Sequence, residues 1–240
     1  MNKLIMNKDR FQTFQKIIQQ LSTMVTELEF IATNNSLKII SMDGANICMA
    51  CLNIKKEFFE EGTEFNEDNF GLNILKFNDI LKRFKGEDVT IFLDKVVTVE
   101  CKRKKITLKT TQILSERVAK PNLEYGLVMK MNSSVIKEIL DDADAITSND
   151  TGIVFAYDGF VKVAIENPQG TEYNASFKDI EIVEKVEVNK ASYSKSYLRK
   201  MTIPSENVIV KIKNDYPITM LYDEGTWAME YILAPRVNND

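Results

Sequence analysis

The sequence predicts an α+β chain that uses one plan twice. Three observations carry this. Four segments space their apolar residues as helices do, short apolar runs bounded by turn residues fill most of the rest, and the order helix, strands, helix, strands occurs twice.

The first helix is expected in DRFQTFQKIIQQL, where Phe11, Phe14, Ile18 and Leu21 recur at intervals of three and four. ELEFIAT, the turn NNS and LKIISM then read as a hairpin, and NICMACLNI follows the Asp43-Gly44 turn. The second helix is expected in NILKFNDILKRFKGED, with Phe77, Ile80, Leu81 and Phe84 as its apolar stripe and Gly86 closing it. DVTIFLD and VVTVECKRKKITLKT supply the next strands.

The second half repeats the idea. A serine is expected to cap NSSVIKEILDDADAI, whose stripe is Ile136, Ile139, Leu140 and Ala143. GIVFAY and FVKVAIE flank Asp158-Gly159. The fourth helix is expected in NKASYSKSYLRKM, with Tyr193, Tyr197, Leu198 and Met201 inward and Pro204 as the stop. NVIVKIKND, PITMLYDEG and TWAMEYIL end the pattern. KGEDVTIFLDK and PSENVIVKIKND, each directly after a helix, form the best internal match. The expected domains are therefore 1–110 and 125–240, joined by a connector at 111–124 that lacks a clean period and contains Pro121.

Composition narrows the chemistry. The chain has no histidine, which removes His-based nucleophile pairs, His general bases and His-ligated zinc. Cys48, Cys51 and Cys101 are too few for a disulfide framework. The spacing of CMAC suits redox or metal chemistry at a helix start, but on a strand residues three apart face opposite ways, so both are read as ordinary strand residues. A formal net charge of -4 means that any nucleic-acid contact has to come from local patches. Neither a membrane span nor an export leader is expected.

Lys16, Lys76, Lys82, Arg83, Lys137, Lys190, Lys195, Arg199 and Lys200 fall on or beside the four helices, where the apolar stripes leave room. Taken alone, such residues make solvated helix faces. Asp141, Asp142 and Asp144 in DDAD are read as a solvated helix end; a carboxylate-dependent enzyme built on them is the alternative from another class.

LKIISMDGANICMACL, NILKFNDILKRFKGEDVTI, YSKSYLRKM and YILAPRV, in this order along the chain, resemble segments of the DNA sliding clamps of the proliferating cell nuclear antigen family, archaeal and eukaryotic type. That resemblance implies duplicated clamp domains in a ring, with helices lining the interior and sheets outside. It implies a non-enzymatic processivity factor without cofactor, metal or catalytic residue, which encircles double-stranded DNA and tethers DNA polymerase and other replication and repair enzymes. The nine basic residues above would line the hole.

The resemblance also implies a pocket for short partner peptides at Met42, Asn46, Ile47, Val118, Lys120, Pro121, Pro217, Ile232, Ala234 and Pro235. Polymerase, nuclease and ligase type partners and a clamp loader would use it. Ile232 stands where relatives commonly carry an aromatic and Lys120 where an aliphatic residue is frequent. ECKRKKITLKT and QGTEYNASFK read as edge strands, and the family's ring joint would use Lys102, Lys104, Ile106 and Leu108 from the first and Glu172, Tyr173, Asn174 and Ser176 from the second. A homotrimer is expected, with a subunit of a heteromeric or checkpoint-type clamp as the alternative. Such a protein works inside cells: in the nucleus if eukaryotic, the cytoplasm or nucleoid if archaeal, the infected host if viral.

Overall fold

In a computed structural model the described residues are 1–111, 119–165, 173–177, 180–185 and 188–236. Two compact units emerge. Unit 1 comprises Met1–Asn46, Ala50–Lys120 and Glu224–Met229; unit 2 comprises Ile47–Met49, Pro121–Asp223 and Glu230–Asp240.

Unit 1 runs β1 (Asn2–Met6), α1 (Lys8–Leu21), β2 (Glu27–Thr33), β3 (Ser36–Met42), β4 (Cys48–Lys55), β5 (Asp68–Asn73), α2 (Ile74–Leu81), β6 (Val89–Leu93), β7 (Val96–Cys101) and β8 (Lys104–Lys109). One sheet has the order β1-β6-β7-β8, and the other strands neighbour one another as β5-β2-β3-β4. Unit 2 runs β9 (Leu127–Met131), α3 (Ser133–Ile146), β10 (Gly152–Tyr157), β11 (Val161–Ile165), β12 (Asn174–Phe177), β13 (Glu181–Lys185), β14 (Val188–Ser194), α4 (Lys195–Met201), β15 (Val208–Ile212), β16 (Ile218–Asp223) and β17 (Trp227–Leu233). Its orders are β9-β15-β16-β17, with β13 on the far side of β9, and β14-β10-β11-β12.

Laid side by side, the two halves have the same connectivity, and β13 is the one insertion among the described strands. In each, the strand before the first helix pairs antiparallel with the strand after the second: Leu4 faces Ile91 in β1 and β6, and Met129 faces Val210 in β9 and β15. The duplicated α+β plan expected from the sequence is the plan observed.

Each helix starts where a side chain can satisfy its first free N–H groups. Asn7 accepts from Arg10 N, Asn73 from Lys76 N, Asn132 from Ser134 N and Ser194 from Tyr197 N. This corrects two expectations. The cap of α3 is Asn132 rather than a serine, and α4 begins only at Lys195 because the preceding residues extend β14 along β10. Tyr193 is therefore a buried strand residue, and Tyr197 is only half-buried.

Most of the expected amphipathic stripes bury, with Ile80 of α2, like Tyr197 of α4, only half-buried. Phe11, Phe14, Ile18 and Leu21 of α1 and Phe77 of α2 are essentially inaccessible, and Phe77 meets Phe14 and Phe30 edge to face at 6.4 and 6.0 Å. Each such side chain contributes about 1.5–3 kcal/mol through burial. In unit 2 the equivalent core comes from Ile136, Ile139, Leu140, Leu198 and Met201. Burying these stripes leaves the polar sides of α1 and α2, and of α3 and α4, outward on each unit.

Candidate functional site

The exposed helix faces of the two units differ in charge chemistry. In unit 1, Lys16 on α1, Lys76 on α2, and Lys82 and Arg83 just after α2 are all exposed. Only Lys82 is paired in part, with Asp79 at 3.4 Å on its own helix. Such an exposed pair holds its lysine weakly. Among the described residues, Lys16, Lys76 and Arg83 form no ion pair within 4.0 Å.

Unit 2 is arranged otherwise. Lys137 is exposed on α3, and Lys190 is exposed on β14, beside rather than on a helix. Lys195 departs from expectation. It is only 5% exposed, because its ammonium donates to the carbonyl of Thr147 at 2.7 Å and pairs with Asp144 at 2.9 Å. A buried ammonium survives only with such partners, so Lys195 ties α4 to α3 and does not face solvent. Arg199 donates to Asp141 at 3.2 Å and to Asp144 at 2.6 Å. Lys200 stands over the Tyr197 ring, 5.2 Å from its centroid.

The acidic run thus has named occupants. Asp144 is shared between Lys195 and Arg199, and these cations hold its carboxyl below the usual range. Asp142 accepts a hydrogen bond from the Tyr173 phenol at 2.9 Å; partial burial and that carboxylate push the phenol's pKa up to about 12. DDAD is the exposed helix end expected at Asp141 and Asp144, and it is also a ladder of contacts across to α4 and to the residue that precedes β12. Arg199 and Lys137 also border an open groove of about 700 Å³ with Asn132, Ser134, Thr202 and Glu206.

Both expected edge strands are edges in their sheets. β8 ends the order β1-β6-β7-β8, and β12 ends β14-β10-β11-β12. The first is shorter than read from sequence: Glu100 and Cys101 belong to β7, and Lys102 sits in the turn between the two strands. Ile106 and Leu108 are half-buried on one row of β8, and Ala175 and Phe177 on one row of β12, with Asn174 and Ser176 exposed between them. Lys104 folds back over Phe84 at 4.7 Å and donates to the carbonyl of Arg83. Glu172 lies outside the described residues.

The residues expected to receive partner peptides differ in exposure. Met42 is half-buried at the end of β3, and the turn beyond it is closed by Asn46 N–H donating to Asp43 O at 3.0 Å. Asn46 takes φ 59°, the left-handed region that asparagine tolerates. Ile47 is 38% exposed, and its carbonyl accepts from Ala234 N at 2.9 Å, which brings these two residues together. Pro217 and Pro235 are half-buried, whereas Lys120 and Pro121 are exposed. Val118 lies outside the described residues. Ile232 departs from its expected exposure: it is 7% exposed, packed into the end of β17.

Arg236, just beyond Pro235, is held. Its N–H donates to Ser192 O at 2.8 Å, and its guanidinium lies 3.6 Å from Asp150. Asp150 also accepts from Ser194 Oγ and Ser196 N. An acidic residue just before a strand carries no sequence signal for this role.

Comparison with known proteins fits this geometry. Residues 6–98 match the family model described as proliferating cell nuclear antigen, N-terminal domain. The chain is 27% identical over 247 residues to a DNA polymerase sliding clamp of Nanoarchaeum equitans, covering 94% of this chain and 96% of that one. It is 23% identical to the proliferating cell nuclear antigen of Caenorhabditis elegans, covering 94% of each. The fold is similar to that of the Entamoeba histolytica antigen, with TM-score 0.86, 17% identity and coverage of 98% and 99%. It is similar too to the A. fulgidus antigen solved with the C-terminal region of FEN-1, with TM-score 0.84, 19% identity and full coverage of both chains. With one topology used twice, the chain is similar over nearly its whole length to the DNA sliding clamps of the proliferating cell nuclear antigen family, and residues 6–98 match that family's N-terminal domain.

Proposed function

We propose that this chain closes into a ring of three copies around duplex DNA and serves as a mobile tether for polymerase and other replication and repair enzymes. The observation that carries the reading is the repeat itself. Two units of one topology each present an outward helix pair bearing lysine or arginine, and each carries an edge strand, β8 or β12, whose half-buried apolar row lacks a covering strand in the single chain. Pairing β8 of one copy with β12 of the next, head to tail, covers both edges in a closed ring. The domains then run 1–110 and 125–240, with 111–124 as the connector.

Exposed lysines and arginines suit a sliding contact. They neutralise phosphates without reading bases, so the grip is salt-sensitive and indifferent to sequence, while closure prevents escape. Partner peptides carrying glutamine, an aliphatic residue and two aromatics dock at the residues near Ile47 and Ala234, and modest affinity lets partners exchange. A clamp loader opens and closes the ring, and no cofactor is required. The site of action is wherever the DNA is copied: nucleus, nucleoid or infected host cell. Among the described residues no helix is long and apolar enough to cross a membrane.

The alternative built on an acidic catalytic site is disfavoured because Asp141, Asp142 and Asp144 already accept from Arg199, Lys195 and Tyr173. Membership of a mixed ring is decided by the mass of the purified chain alone, which is that of a trimer if the ring is homomeric. The test of the main reading is topological. After loading, the protein stays on closed circular DNA and leaves the same DNA once it is linearised; equal retention on both would refute the proposal.

A further inference from the structure

Arg199 stands between two electrostatic environments. On one side it is held by Asp141 and Asp144, at 3.2 and 2.6 Å. On the other it borders the open groove of about 700 Å³ that also holds Lys137. A carboxylate pair presents an arginine with the same planar, bidentate acceptor geometry that a phosphodiester offers. The two carboxylates therefore occupy the donors that a DNA backbone would need. Asp144 cannot simply swing away, since its other oxygen is fixed by the buried ammonium of Lys195 at 2.9 Å.

The balance of charge agrees. Helices α3 and α4 together carry four basic and four acidic side chains. Helices α1 and α2 with the two residues that follow carry six basic and two acidic ones. Coulombic attraction for a polyanion therefore resides mainly on unit 1, and on unit 2 it is cancelled locally by an ion-paired ladder.

Resting on the ring reading above, we infer that Asp141 and Asp144 are internal stand-ins for DNA phosphates: they withhold Arg199 from the duplex and set how loosely unit 2 grips it. Freed of them, Arg199 turns to the groove shared with Lys137, where a backbone phosphate has room. The acidic run then sets the strength of the DNA contact, tuned toward weak binding and fast sliding.

The test measures binding of the full-length protein to a short fluorescent duplex across a range of salt concentrations. Asp141→Asn is the first variant, because among the described residues Asp141 pairs only with Arg199, so the change leaves the Lys195–Asp144 tie intact. Asp141→Asn/Asp144→Asn is the second. Both are expected to bind more tightly, the double variant by roughly three- to tenfold at low salt, with a log-log salt slope steeper by about 0.9 for each phosphate newly reached. Adding Arg199→Ala to the double variant is expected to return affinity and slope to the parent values.

An unchanged slope in both Asp variants overturns the inference. So does a gain that survives Arg199→Ala, since it would then come from lost negative charge alone. A separate Lys16→Ala/Lys82→Ala/Arg83→Ala variant tests the underlying reading. If it binds as the parent does, the helix faces do not contact DNA, whatever the Asp variants do.

Discussion

The N–H of Ala234 donates to the carbonyl of Ile47 at 2.9 Å, so the segment after β17 is fastened to the residue that leads into β4. Ile47 is one of the few large apolar side chains left exposed. Proline at 235 lacks an N–H and fixes the chain direction between two anchored neighbours, Ala234 and Arg236. Ala234→Pro removes the first anchor. It is expected to lower stability by about 1 kcal/mol and to weaken a glutamine-aliphatic-diaromatic peptide by roughly three- to tenfold. Thermal unfolding and fluorescence anisotropy read the two effects, and Ala234→Gly, which keeps the donor, serves as the control.

The hydroxyl of Tyr231 is buried with no hydrogen-bond partner among the described residues, while its ring meets Tyr222 edge to face at 6.3 Å. Burial raises this phenol's pKa well above its ordinary value. An orphaned hydroxyl in an apolar setting is unfavourable, so Tyr231→Phe keeps the ring contact and removes the penalty. The variant is expected to be as stable as the parent or more so, by up to about 1–2 kcal/mol in urea unfolding. A loss of more than that would mean that the hydroxyl has a partner.

How far these features were legible varied with the kind of signal. The stripes of α1 and α3 follow directly from Phe11 to Leu21 and from Ile136 to Ala143, because a single buried face imposes a period that sequence alone displays. The four strands that lead directly into helices, β1, β5, β9 and β14, were missed or misread. Each ends at an Asn or Ser cap or within one residue of it, so strand alternation runs into helical spacing without a Gly or Pro to mark the change. In β14, Tyr193 is four residues from Tyr197, and this imitates a helical stripe across the junction. Candidate cations were legible as exposed positions in unit 1. In unit 2 their partners decided, since Lys195 and Arg199 are captured by residues more than fifty positions away, which no local pattern encodes.

The apolar row of β8 gives a third expectation. Ile106 and Leu108 are half-buried in the single chain, although β8 is a sheet edge. If β12 of a neighbouring copy covers that row, Leu108→Asp places a charge in the joint and is expected to cost more than about 2 kcal/mol per interface. Sedimentation velocity should then find a monomer at concentrations where the parent is a trimer. Thr107→Asp, on the opposite row, should leave assembly much closer to the parent. Equal disruption by both would argue against a joint built on one face of the strand.

Acid sensitivity follows from Asp144. Its carboxyl titrates below the ordinary value because Lys195 and Arg199 favour the ionised form. A depressed folded pKa stabilises the fold at pH above the unfolded carboxylate's value, and that contribution disappears as pH falls through the folded value. Near neutrality the parent is thus expected to be more stable than Asp144→Asn, which leaves the buried Lys195 ammonium without its carboxylate, held by neutral acceptors such as the carbonyl of Thr147. As pH falls on through the folded value, below the unfolded carboxylate range, the parent's Asp144 is protonated too, and the two denaturation midpoints should converge. Midpoints that stay apart by a constant amount down to acid pH would show that the ion pair contributes nothing to the difference.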